Sequence, residues 1–418
     1  MGVVAPPRAR QSAARSAGSF LRPGQAEVEE NSLQARRHRP DYVLMLLMLA
    51  LLAIGITVIY AISPALAVEK NVGQNYFVLR QSIAIALGLV MFVVAAKVPL
   101  RTWRQLFPTL LIVAGLATLV ALVMPVSPDY PAHRWIRLGG FSFQSVELLK
   151  LALIVWFADF LARRMREGSL GDPKKTLQPI FLVVIAVGLI VAGVQSDLGS
   201  TGVIVAIMGA MAFVAGLPMK RLMLIVGIVA IGTILAVSAI PYRRERLLTF
   251  LHPEQNCLTT SWQECQALIA VGSGGAIGLG LGRSVQAYGY LPEAENDAIF
   301  AIYAEKFGFV GATILLALFV AFFARLRRII DRAPDNFSRL VVTGVLIWLA
   351  VQAFVNIGAM IGLLPLKGIT LPLISYGGSS VLLTLAALGL VFQISRYTKF
   401  SVETNEGANY ASSRNRRR

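Results

Sequence analysis

The chain has 418 residues, of which 56% are hydrophobic and only 15% are charged, and its mean hydropathy is +0.67. Soluble domains are about 25% charged, so this composition excludes a soluble globule and predicts an all-α polytopic membrane protein. The net charge of +17 is spread over loops between apolar runs. Cations in that position orient membrane spans, and we therefore expect no nucleic-acid partner.

Ten apolar runs approach or exceed the length of about 20 residues that a helix needs to cross a bilayer. The fourth and fifth runs are the shortest. In chain order the predicted spans are Tyr42–Ile62, Phe77–Ala96, Phe107–Val126, Val146–Leu161, Pro179–Val194, Gly199–Leu217, Leu222–Ile240, Ala298–Phe323, Leu340–Ile361 and Ile369–Ile394.

Lysine and arginine clusters fall on alternate loops, which predicts that these loops and both termini are cytoplasmic. Residues 1–40 are predicted to form a disordered basic cytoplasmic tail, residues 41–396 a ten-helix membrane domain, and residues 397–418 a second cytoplasmic tail. The cations that define the cytoplasmic side include Arg36, Arg101, Arg104, Arg163, Lys174, Arg221, Arg325 and Arg328.

The fourth predicted span begins with two ionisable residues, Glu147 and Lys150, three positions apart. Residues at that spacing share one face of a helix. Ionisable groups inside a membrane usually pair with one another, so we predict a structural ion pair, with direct participation in chemistry as the alternative.

Four residues on the predicted outer loops are candidates for substrate binding. Trp135 can stack on a sugar or mark the membrane interface, and Arg137 can bind an anionic group or extend towards the headgroups. Asp197 lies between spans five and six, and Lys367 lies between spans nine and ten. Simple solvation at the interface is the alternative for both.

The only long loop between predicted spans, residues 241–297, lies on the outer face by the same count. It contains the chain's two cysteines, Cys257 and Cys265. An extracytoplasmic compartment permits disulfides, so the sequence predicts either a bridge or two free thiols at this place.

Arginines stand where the seventh span leaves the membrane, at Arg243, Arg244 and Arg246. Guanidinium groups bind pyrophosphate through paired hydrogen bonds, so Arg243 and Arg246 are candidates for stabilising a pyrophosphate leaving group. Their interaction with lipid headgroups is the alternative.

A glycine-rich run extends from Gly272 to Gly282, but no strand or βαβ unit accompanies it. A nucleotide-binding loop needs that context, so these glycines are better explained by tight turns and close approach to a ligand or a helix.

Three carboxylates crowd the end of the loop, at Glu293, Glu295 and Asp297, directly before span eight. Burial and like charges raise a carboxyl pKa, which suits Asp297 to act as a general base towards a sugar hydroxyl, with Glu293 close to the substrate. The alternative for Asp297 is an N-cap. Glu305, on the same predicted helix as Asp297, is a candidate for lining a polar cavity.

Several of these segments occur together in one known family. They are Arg134–Gly139, Gln195–Gly199, Gly272–Gly282, Leu291–Asp297 and Leu371–Ser380. Over about residues 41–396 the chain resembles the shape, elongation, division and sporulation (SEDS) family. Leu291–Ala294 and Leu364–Gly368 resemble the division branch more than the elongation branch. The chain departs from the family where Glu295-Asn296-Asp297 replaces His-Thr-Asp and Glu305-Lys306 replaces two glutamates.

The resemblance implies a peptidoglycan glycosyltransferase of the bacterial cytoplasmic membrane that polymerises lipid II, at the division septum or along the side wall. It also implies a class B penicillin-binding protein as transpeptidase partner, contacts with other divisome or elongasome proteins and membrane lipids, and Asp297 as the essential aspartate. No cofactor is predicted, except that a divalent cation is left open. The alternatives are a transporter of the lipid-linked precursor and an inactive scaffold for the transpeptidase.

Overall fold

Helices make up most of the computed structural model, which describes residues 35–37, 39–124, 133–138, 141–238, 249–250, 257–259 and 261–399. Short strands accompany them. In chain order the elements are β1 Ala35–Arg37, α1 Tyr42–Glu69, α2 Tyr76–Lys97, α3 Leu100–Val123, β2 Trp135–Leu138, β3 Phe141–Gln144, α4 Ser145–Arg166, α5 Pro173–Val194, α6 Leu198–Ala215, α7 Met219–Ser238, α8 Trp262–Ser273, α9 Ile299–Arg332, α10 Asn336–Met360, α11 Gly378–Ile394 and β4 Tyr397–Lys399.

Each of the ten predicted spans falls on one of these helices, and the all-α polytopic class is confirmed. Within the described residues, seven helices are long and apolar enough to cross a membrane: α1, α2, α3, α5, α6, α9 and α10. The last span was predicted to start at Ile369, which is wrong, because α11 begins only at Gly378. The predicted outer loop also contains a helix that was missed, α8.

Nearly all side chains of helix α11 are buried. Aromatic contacts join it to two neighbours, because the ring of Phe392 lies 5.3 Å from that of Phe92 on α2 and 6.1 Å from that of Tyr42 on α1. Ring centroids at these distances contribute to packing beyond the area they bury. Helices α1, α2 and α11 are therefore packed together at the ends that carry these rings.

The ionisable pair at the start of α4 is buried. Lys150 Nζ donates to Glu147 Oε1 at 2.7 Å, and the side chains are 0% and 3% exposed. The ammonium also lies 5.1 Å from the ring centroid of Trp348 on α10. The pair therefore connects α4 to α10 in the interior, where an unpaired charge would be costly.

Helix α9 is broken at Gly308, whose φ of 65° and ψ of −165° are not helical. The glycine-rich run fills the break. Leu279 N and Gly280 N donate to the carbonyls of Glu305 and Lys306 at 2.9 Å, and the amides that follow Gly308 donate back to the run. Backbone groups freed by a break at membrane depth must find such partners. The expectation that the glycines permit close approach to a helix is confirmed.

The side chains of Glu305 and Lys306 hold the next part of the same loop. Glu305 is 1% exposed and accepts from Ser284 Oγ and from Val285 N at 2.8 Å. Lys306 Nζ donates to Leu281 O at 3.0 Å. The expectation that Glu305 lines a polar cavity is corrected here, because its carboxylate is occupied by loop hydrogen bonds.

A disulfide joins Cys257 and Cys265. Cys265 belongs to the first turn of α8 and is 6% exposed. The same helix is tied to the loop that precedes Asp297, since Trp262 Nε1 donates to Tyr290 O at 2.9 Å. The bridge thus restrains the chain that leads into α8.

Candidate active site

Asp297 lies on the turn directly before α9, beside a small cavity that is partly open to solvent. The helix begins at Ile299 with Ala298 as its N-cap, and the cap makes no side-chain hydrogen bond. The alternative interpretation of Asp297 as an N-cap is therefore wrong. The cavity is lined by Asp297, Val355, Asn356, Ala359, Met360, Leu366, Lys367, Gly368 and Ile369.

The structure brings the predicted residues Asp297 and Lys367 to the same cavity, although 70 positions separate them. The Asp297 carboxylate also lies beside Gly368. A Cβ atom placed on Gly368 would lie 3.8 Å from Asp297 Oδ2, which is an ordinary van der Waals contact. A carboxylate and an ammonium on one small cavity can bind a polar substrate and can move a proton.

Asn356, on α10, holds the two sides of the cavity together. Its Nδ2 donates to Asp297 O at 2.6 Å and to Ile369 O at 2.7 Å, and the residue is 3% exposed. Sequence reasoning missed Asn356. The signal was available, because an amide side chain within an apolar span must find a polar partner.

The three residues Glu295, Asn296 and Asp297 each present a backbone carbonyl to a different donor. Tyr376 N donates to Glu295 O at 2.8 Å, and Ser375 Oγ donates to Asn296 O at 2.6 Å. Asn356 supplies the third hydrogen bond. Ser375 and Tyr376, which were predicted to lie inside a span, therefore supply two of the three hydrogen bonds that hold the acidic loop, Glu293–Asp297.

The backbone around Ser375 is in turn held by hydrogen bonds from α2. Gln81 Nε2 donates to Ser375 O, and Gly377 N donates to Gln81 Oε1, both at 3.3 Å. Gln81 is 1% exposed. A buried amide satisfied on both of its polar atoms fixes its partners in one arrangement.

The carboxylates of the acidic loop differ in environment. Glu295 is buried and its Oε1 accepts from Lys70 Nζ at 2.5 Å. Glu293 adopts a positive φ of 53° and accepts from Asn296 Nδ2. Burial raises the pKa of the Glu293 carboxyl above its ordinary value and the charge of Glu295 adds to this, while the Asn296 hydrogen bond opposes it. Lys70 was missed by sequence reasoning, since nothing local to it indicates its partner.

Asp197 caps the start of α6. Its carboxylate accepts from Ser200 N and Ser200 Oγ at 2.9 Å, and Arg134 Nε lies 3.9 Å from its Oδ2. The turn packs against the far side of the cavity wall, because a Cβ on Gly199 would lie 3.0 Å from Lys367 O. Asp197 is 3% exposed, so its carboxylate is buried in this turn and is not solvated at the interface.

Trp135 and Arg137 lie on β2, which pairs with β3 so that Trp135 faces Gln144 and Arg137 faces Ser142. Neither side chain is among the described residues that line the Asp297 cavity. Arg137 is exposed and Trp135 is half-buried. The hairpin is connected to the cavity wall through Arg134, which also donates to Ser196 O at 2.6 Å.

Two further expectations remain without a structural test. Arg243 and Arg246 lie outside the described residues. Among the residues that the structure describes, no group of three or more His, Cys, Asp or Glu side chains is arranged to hold a metal ion. The participation of a divalent cation stays an open prediction.

The family pattern described as a cell cycle protein, FtsW/RodA/SpoVE, matches residues 42–400. The chain belongs to this family. A relative from Saccharophagus degradans called a probable peptidoglycan glycosyltransferase FtsW is 39% identical, over 88% of this chain and 95% of its own length. Stage V sporulation protein E of Bacillus subtilis is 35% identical, over 88% of this chain and 100% of its own length.

Solved structures of this FtsW/RodA/SpoVE family share the fold. One, described as “Structural coordination of polymerization and crosslinking by a peptidoglycan synthase complex”, has a TM-score of 0.69 at 29% identity and covers 85% of this chain and 98% of its own. The rod shape determining protein RodA of Thermus thermophilus has a TM-score of 0.63 at 29% identity and covers 85% and 97%.

Proposed function

We propose that this chain is a peptidoglycan glycosyltransferase that polymerises lipid II on the outer face of the cytoplasmic membrane during septal wall synthesis. The observation that carries the proposal is the placement of Asp297 and Lys367 on one cavity. The loop that carries Asp297 is fixed by hydrogen bonds to three of its backbone carbonyls. The relatives named as FtsW glycosyltransferases support the division role.

The proposed reaction is an inverting glycosyl transfer. Asp297 accepts the proton of the acceptor sugar's 4-hydroxyl while that oxygen attacks the anomeric carbon of the donor. The bond from the anomeric carbon to the pyrophosphate oxygen breaks, and the electron pair leaves with undecaprenyl pyrophosphate. A general base held in position contributes about 10²- to 10⁴-fold to such a step.

The other residues have supporting roles in this proposal. Lys367 contacts the anionic part of a substrate at the cavity, and Glu293 borders it. Arg243 and Arg246 stabilise the leaving pyrophosphate, because cations act most strongly where charge develops. Asp197, together with Trp135 and Arg137 on the paired strands β2 and β3, shapes the approach from the outer surface.

The membrane arrangement proposed here has ten spans, cytoplasmic termini and the 241–297 loop outside. It rests on the alternation of cations between loops and on the helix found at each predicted span. A class B penicillin-binding protein is the proposed transpeptidase partner, supported by the likeness to a synthase complex that coordinates polymerization and crosslinking.

Purified protein tests the function directly. Combined with its cognate class B penicillin-binding protein and lipid II, the wild-type chain is expected to produce glycan strands that a muramidase digests. The comparison reaction contains the partner alone. Lipid II that crosses vesicle membranes without forming polymer would instead establish the transporter alternative.

The disulfide provides a test of orientation. In intact cells a membrane-impermeant maleimide is expected to label Cys257 and Cys265 only after a reductant is added, because the bridge lies outside and occupies both sulfurs. These are the chain's only cysteines, so a variant with both changed to serine is the background control. Labelling that requires cell lysis would contradict the proposed orientation.

A further inference from the structure

Glu295 is a deeply buried carboxylate only two positions from Asp297. It is 2% exposed, and its Oε1 accepts from Lys70 Nζ at 2.5 Å. An ionised carboxylate removed from water is strongly destabilising unless a cation compensates it. The two residues lie 225 positions apart, so this ion pair joins the end of α1 to the loop before α9.

Lys70 is held in place from the α1 side. It is the C-cap of α1, and its backbone N–H donates to Leu66 O at 2.9 Å. Its ammonium also lies 5.7 Å from the ring centroid of Phe77 on α2. The cation therefore lies between the end of α1, the Phe77 ring at the start of α2 and Glu295.

The two partners differ in their access to water. The Lys70 side chain is 36% exposed, whereas the Glu295 side chain is 3% exposed. Loss of the carboxylate leaves a cation that water can solvate. Loss of the cation leaves a buried charge without compensation, which is the more costly change.

A Glu295 without its cation has to turn towards water or bind a proton. Turning the residue strains the hydrogen bond from Tyr376 N to Glu295 O and the adjacent one from Ser375 Oγ to Asn296 O. Those bonds fix the backbone that carries Asp297. A shift of about 1 Å in a catalytic group can cost on the order of 100-fold in rate.

We infer that Lys70 is a positioning residue, which holds Asp297 in its reactive place by compensating the buried charge of Glu295. The inference rests on the proposed glycosyl transfer, because it assigns Lys70 to that same site. It predicts that removal of the Lys70 cation lowers the rate far more than removal of the Glu295 charge. Removal of both should cost little more than removal of the Glu295 charge alone.

Four variants test this inference in the polymerisation assay with the partner transpeptidase: Lys70→Met, Lys70→Arg, Glu295→Gln and the double variant Lys70→Met with Glu295→Gln. We expect Lys70→Met to lower kcat on the order of 100-fold with little change in KM for lipid II. Lys70→Arg and Glu295→Gln are expected to lose far less, and the double variant should return to the rate of Glu295→Gln. Glu69→Gln removes an exposed neighbouring carboxylate and is the matched control.

A wild-type rate in Lys70→Met overturns the inference, and so does a double variant as slow as Lys70→Met. The thermal unfolding midpoint of each purified variant is measured in parallel. Should Lys70→Met fail to fold, recovery of fold and rate in the double variant supports the inference, and its absence overturns it. Should the wild type form no polymer, the proposed function fails, and the thermal double-mutant cycle still decides whether Lys70 and Glu295 are coupled.

Discussion

Asp297→Asn is expected to abolish measurable glycan polymerisation, because the loss of a general base alone lowers the rate by about 10²- to 10⁴-fold. The amide has the shape of the carboxylate but cannot accept the proton of a sugar hydroxyl. The backbone at this position is held by Asn356 through its carbonyl, so the substitution leaves that hydrogen bond in place. The measurement is the initial rate of lipid II polymerisation at saturating transpeptidase partner.

The controls for this change separate chemistry from folding. The thermal unfolding midpoint and the co-purification of the transpeptidase are expected to match those of the wild type. Asp331→Asn removes a carboxylate of an exposed ion pair with Arg327, and pairs of that kind contribute little to stability. Its rate should equal that of the wild type. A near-normal rate in Asp297→Asn would end the general-base assignment.

Hydropathy predicted the helices because a helix facing lipid must be apolar along its length, and this requirement is visible in a single run of sequence. The error at the last span has the same origin. Ile369 to Tyr376 is apolar enough to extend a span, but its backbone carbonyls and amides bind Asn356 and the acidic loop instead. Hydropathy cannot distinguish an apolar helix from an apolar loop buried in protein.

The chemical types in the site could be predicted, whereas their partners could not. A carboxylate cluster before a span pointed to Asp297, and the position of Lys367 on a predicted outer loop made it a candidate for substrate binding. The ion pair of Lys70 with Glu295 joins residues far apart in sequence, so no local pattern contains it. The partners of Glu305 were equally hidden from the sequence. Its place within a predicted span suggested a polar cavity, whereas the structure shows that it accepts hydrogen bonds from Ser284 and Val285 in the preceding loop.

Gly308→Ala and Gly278→Ala are expected to prevent folding. The φ and ψ of Gly308 fall in a region that is essentially restricted to glycine, where other residues are strained by about 1–3 kcal/mol. A Cβ there would lie 2.3 Å from Gly278 N, and a Cβ on Gly278 would lie 2.2 Å from Lys306 O. Both obstacles are backbone atoms, which cannot move aside as a side chain can.

The clash acts on the hydrogen bonds that close the break in α9. Leu279 N and Gly280 N donate across it in one direction, and Phe309 N and Val310 N donate in the other, at 2.9 to 3.0 Å. Separation of the loop from the helix leaves these groups without partners, at several kcal/mol for each group in a lipid environment. We therefore expect little protein in the membrane fraction and no cooperative thermal transition after purification.

Gly272→Ala is the matched control, since its Cβ would meet no atom within 4 Å and alanine favours the helix α8. Well-folded Gly308→Ala and Gly278→Ala proteins with the midpoint of Gly272→Ala would show that the glycine run does not hold α9 together.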